Sequence, residues 1–109
     1  MERVSEDNLE IIVLDGRIDQ EASEELESLL EETISGETTN ICIDMMDVKH
    51  ICSSALGVLV AIKRKIKDQD GHIKLVIAND NLLKLFQTTM LDKVFEIYES
   101  VRECRNSFD

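Results

Sequence analysis

The 109-residue sequence contains no proline, and aromatic residues make up only 4% of it. A proline-rich recognition tract is therefore excluded, as is a platform of rings on which nucleic-acid bases could stack. Bases are scarce as well: 12 lysines and arginines stand against 23 acids, for a formal net charge of -11. Such a chain repels phosphate backbones, so direct binding to nucleic acid is not expected. No apolar run approaches the roughly 18 to 20 residues that a membrane span needs, and the opening MERVSEDNLE lacks the apolar core of a signal peptide. The expected location is the cytoplasm, with no membrane partner.

Glycine is rare too, and none of Gly16, Gly36, Gly57 and Gly71 belongs to a Gly-Lys-Ser/Thr turn or to a G-x-G-x-x-G stretch. No phosphate cradle for nucleotide chemistry is visible, although weak nucleotide binding stays open. The cysteines, Cys42, Cys52 and Cys104, are odd in number and at no paired spacing, which predicts reduced thiols rather than a disulfide framework. His50 and Cys52 are the nearest approach to a pair of zinc ligands and have no obvious companions, so neither a metal nor a cofactor is expected. Carboxylates are densest on the outer face of the first helix, where a solvated charge run is the ordinary explanation. No Ser-His or Cys-His spacing demands a catalytic nucleophile, and an enzyme is not expected.

What is present is a domain-sized chain, 43% hydrophobic and 32% charged, read as a single domain over residues 1–109. A short strand at residues 2 to 6, turned back by Asp7 and Asn8, is expected to pair with a strand in which Leu9, Ile11 and Val13 alternate until Gly16 breaks the run. Asp19 is a plausible N-cap for a helix with Ala22, Leu26, Leu29, Leu30 and Thr33 on one stripe, ended by Ser35 and Gly36. NICIDMMDV reads as a second apolar strand and DVKHICS as a loop. From Ser53 or Ser54 to about Asp68 the pattern is helical, with an apolar face of Leu56, Leu59, Val60, Ile62 and Ile66 and a basic far end at residues 63 to 67. Those cations suit a helix C-terminus; docking of an acidic partner is the alternative. GHIKLVIA is a third core strand, NLLKLFQTT a short helix, KVFEIYES a final strand and residues 99 to 106 a closing helix. Alternation of this kind implies right-handed crossovers in a mixed or parallel sheet, with function near the strand-to-helix turn at residues 49 to 56.

That turn contains ICSSALGVLV, two hydroxyls ahead of an apolar run. Small hydroxyls cap helices, and helix starts attract anions, so a capping serine there can also receive a phosphate. Cys52, at the same helix start, reads as a small filler, with a reactive thiol as the alternative.

The stretch CIDMMDVKHICSSALGVLV resembles, in register, the central signature of the STAS domain, roughly lDlsgvtfiDSSGLGvLl, as found in bacterial anti-sigma factor antagonists. Asp44 matches the strand aspartate, Ser53 and Ser54 the two serines, and Leu56 and Gly57 the Leu-Gly pair; DGRID at 15–19 and LDKVFEIYES at 91–100 are similar to flanking segments of the family. The resemblance implies an α/β, STAS-like fold with a mixed four- to five-stranded sheet and about four helices packed against it. It implies a partner-switching protein that binds an anti-sigma factor serine kinase, is released when the first serine, Ser53, is phosphorylated, and is restored by a phosphoserine phosphatase. The partner-binding residues it implies are Asp19, His50, Cys52, Ser53, Ser54, Ala55 and Gly57. Cys52 stands where phosphorylated members generally have Asp, and Ala55 where they have Gly. A non-phosphorylated STAS interaction module of a signalling or transporter complex is the alternative, and a Cys52-based enzyme or redox sensor a further one.

Overall fold

The computed structural model describes residues 1–36 and 40–108. Five strands form one sheet in sequence order: β1 (Glu2–Glu6), β2 (Leu9–Ile18), β3 (Asn40–Ile51), β4 (His72–Val76) and β5 (Ile97–Tyr98). β1 runs antiparallel to β2, and the remaining neighbours are parallel. Four α-helices pack on this sheet: α1 (Gln20–Ile34), α2 (Ser53–Lys67), α3 (Asp80–Thr88) and α4 (Val101–Ser107).

Asn8 supplies the tight turn between β1 and β2 with φ 58, a left-handed conformation that asparagine tolerates better than most residues. The central strands are apolar on both faces, as parallel strands covered on both sides must be. Ile12, Leu14, Ile41, Ile43 and Leu75 point into a large core with the apolar stripes of α1 and α2 and with Phe86 of α3. Leu9, Ile11, Cys42 and Val76 point the other way, into a smaller core closed by Cys104 of α4. The helical stripe foreseen on α1 is present, with Leu26 and Leu30 fully enclosed.

Three local expectations are corrected. Gly16 does not end β2, which continues to Ile18; it lies, with φ 69, where the pairing of β2 with β3 shifts register. Residues 49 to 51 are not loop but the end of β3, because Arg17 and Ile18 still pair there with His50 and Ile51. The last strand is only Ile97–Tyr98: Lys93 closes a 3-10 turn over Leu91–Lys93, residues 94–96 are turn and irregular backbone, and residues 99–100 bend into α4. Among the described residues, no helix is long and apolar enough to cross a membrane.

Candidate functional site

The site forms where β3 hands over to α2. Between Val13 and Asp15, and again between Gly16 and Arg17, β3 advances one residue more than β2, so β3 carries two bulges in its last half. Bulges bend and re-aim a strand, and these direct the chain into α2 across the single residue Cys52. The Cys52 N–H donates to the Ile18 carbonyl at 2.9 Å, which pins the helix start to the exit of β2.

Cys52 is the N-cap residue of α2, yet its side chain makes no capping hydrogen bond. The first bond of the helix runs from Leu56 N–H to the Cys52 carbonyl, so among the described residues the N–H groups of Ser53, Ser54 and Ala55 are left without acceptors. Open donors and the positive end of the helix dipole favour an anion at this point. No acidic side chain lies in the first turn of α2 to supply one.

The two serines differ in what they do. Ser54 Oγ donates to Gln20 Oε1 at 2.7 Å and ties the start of α2 to the start of α1. Ser53 is exposed, and no hydrogen bond of its hydroxyl occurs among the described residues. Asp19 caps α1 as expected, its Oδ1 accepting from Ala22 N–H at 3.0 Å, and Cys52 N–H reaches the carbonyl of the residue next to it. His50 is exposed on β3 opposite Arg17, and Cys52 is half-buried against the larger core. Gly57 is exposed one turn further along α2, and a Cβ built on it would meet nothing within 4 Å.

Ala55 departs from this group. It is 0% exposed and packed in the large core, because it shares a helix face with Leu59, Ile62 and Ile66. It supports the site from beneath and offers no surface to a partner. Asp44, the strand aspartate, accepts from Met46 N–H at 3.0 Å and so braces the first bulge rather than the helix start. Gln20 and Arg17 escaped the sequence reading; Gln20 is reached from Ser54 only across the fold, whereas Arg17 could have been found from the parallel pairing of DGRID with the following strand. Among the described residues no cluster of three or more His, Cys, Asp or Glu side chains could hold a metal ion.

The STAS domain model matches residues 1–104. A Thermotoga maritima relative is 33% identical over 63 residues, a match that spans 58% of this chain and 56% of that protein. The anti-sigma-B factor antagonist of Listeria monocytogenes is 29% identical over 91 residues, covering 84% of this chain and 79% of that protein. The structure of the Bacillus cell fate determinant SpoIIAA in its phosphorylated form superposes with a TM-score of 0.78 at 18% identity, over 99% of this chain and 98% of the other.

Proposed function

The chain belongs to the STAS domain family, and from that premise we propose that it is a cytoplasmic, non-enzymatic anti-sigma factor antagonist, one domain over residues 1–109, controlled at Ser53. Its partner is an anti-sigma factor serine kinase, and a phosphoserine phosphatase reverses the modification. The observation that carries this reading is the exposed hydroxyl of Ser53, unpartnered among the described residues, at an uncapped helix start beside an exposed Gly57 that the domain's own packing does not require.

The physics of the switch is local. A phosphate at Ser53 is received by open N–H groups and the helix dipole, so the fold need not change. The same group brings about -1.5 to -2 charges into a contact patch. An unpaired charge buried there costs several kcal/mol, against about 8 kcal/mol of binding free energy in a micromolar complex. Binding, not folding, is what the phosphate controls. Asp19, His50, Cys52 and Ser54 form the rim of that patch in this reading, with Gly57 as the place of closest approach.

Incubation with the anti-sigma factor kinase and ATP should add one phosphate, at Ser53, as read by mass spectrometry of the intact chain and its peptides. Ser53→Asp should abolish kinase binding, and Ser53→Ala should bind without regulation. Equal binding by the two variants overturns the scheme. Cys52 favours one other reading, because it provides no capping oxygen where an aspartate would. A chain that binds its partner but takes up no phosphate would be a non-switching STAS interaction module.

A further inference from the structure

Cys42 and Cys104 lie far apart in sequence but meet in the smaller core. Cys42 is in the middle of β3, paired in register with Ile11 on one side and Lys74 on the other. Cys104 is in α4, which covers that face of the sheet. The two are 1% and 0% exposed and belong to the same buried cluster. Beside them lies an unusual neighbour for an apolar core, the ammonium of Lys74, whose side chain is 9% exposed. It donates to the Ser107 carbonyl and hydroxyl, both at 3.1 Å, sits 3.6 Å from Glu96 Oε2, and lies 4.5 Å from the centre of the Phe108 ring.

We propose that Cys42 and Cys104 are a redox modification site, forming a reversible disulfide that clasps α4 to the sheet, with a hydroperoxide as oxidant. The cluster is asymmetric in the way this chemistry needs. The hydrogen bond from Cys42 and the charge of Lys74 hold the Cys104 thiol below its ordinary range, while the same hydrogen bond and burial push the Cys42 thiol up. Of the two, Cys104 is the one that ionises more readily and Cys42 is the second thiol. The Cys104 sulfur attacks the terminal oxygen of the hydroperoxide; the O–O bond breaks, the departing oxygen takes a proton, and a sulfenic acid forms on Cys104. The Cys42 sulfur then displaces that oxygen, the S–O bond breaks as the S–S bond forms, and the oxygen leaves with the Cys42 proton as water. The two thiols lose two electrons in all, and the hydroperoxide gains them. Access comes from local opening: α4 is 7 residues long and is tied down by few polar contacts, among them the pair from Arg105 Nε to Glu6 Oε1 at 2.9 Å.

The site lies on the face of the sheet away from α1 and α2, and the inference does not rest on the proposed function. The test uses the full reduced chain, treated with hydrogen peroxide, alkylated with iodoacetamide under denaturing conditions and digested for mass spectrometry. The expected product lacks two hydrogens, joins the Cys42 and Cys104 peptides, reverts with a thiol reductant and melts several degrees higher than the reduced chain. Cys52→Ser should keep the link, and Cys104→Ser should abolish it. Recovery of both thiols alkylated at peroxide doses that oxidise Cys52 would overturn the proposal. So would a link made through Cys52, or an oxidised chain that melts below the reduced one.

Discussion

Gly57 is the residue whose identity the fold explains least. A glycine inside a helix costs roughly 0.5–1 kcal/mol relative to alanine, and here a Cβ would enter open space, so nothing within the domain repays that loss. A partner backbone that comes close to α2 would account for it. Gly57→Ala should therefore raise stability by about 0.5–1 kcal/mol in thermal or urea melts while weakening binding to the proposed anti-sigma factor partner. Unchanged binding would remove Gly57 from the contact. Gly16 is the opposite case: its φ of 69 is a backbone requirement, and Gly16→Ala should destabilise by about 1 kcal/mol or more. At this scale the sequence was readable wherever chemistry is local. Asp19 announces a helix start by residue type, because a cap reaches only two or three positions along the chain; the serine pair marks the start of α2 without capping it, since Cys52 holds the N-cap position. Ala55 is spaced with Leu59, Ile62 and Ile66 and shares their buried face, so helical phase overrides the partner contact that the resemblance implies there. The bond from Ser54 to Gln20 could not be read at all, because it depends on how two helices lie together.

At the scale of elements, the site depends on how β2 and β3 end. The apolar run of β3 was legible, but in its last half Val48 and Ile51 are buried while Met46, Asp47, Lys49 and His50 are exposed, because the two bulges break the two-residue alternation. A strand of that kind has no period to read, which is why residues 49 to 51 resemble a loop. Asp19 illustrates the resulting ambiguity in testing the site: it caps α1 and, in the proposed function, also stands on the rim of the patch. Asp19→Ala should cost about 1 kcal/mol of stability through the lost cap, whereas Asp19→Asn should preserve the cap and remove only the charge. If the carboxylate contacts the partner, the Asn variant melts like the parent and binds less; if Asp19 is only a cap, the Asn variant matches the parent in both measurements. The closing helix offers a parallel case without the ambiguity. Ser100 Oγ accepts from Glu103 N–H at 3.1 Å, and Ser100→Ala should loosen α4 by about 1 kcal/mol. Hydrogen exchange of its amides is the measurement that would show this.

Across the whole molecule, one sheet separates two cores of different size, and the site stands at the end of the larger. Phe86 is fully enclosed there, so Phe86→Ala should destabilise the entire domain by about 3–5 kcal/mol in a single cooperative transition. The charge of the molecule sets the last expectation. A chain at -11 already repels itself, and a further negative charge at Ser53 adds to that repulsion. Against this, an anion in the first turn of a helix gains roughly 0.3–1 kcal/mol at low ionic strength, and the first turn of α2 has no acid of its own. The local term acts within one turn, while the diffuse repulsion is spread over the surface and weakened by salt beyond about 10 Å at 0.1 M. Ser53→Asp should therefore melt at or slightly above the parent at low salt, and the difference should shrink as salt is added. Loss of more than about 1 kcal/mol in that variant, beyond the ordinary range of surface substitutions, would mean that Ser53 serves the fold. A fold that depends on the hydroxyl could not use its modification to control binding alone.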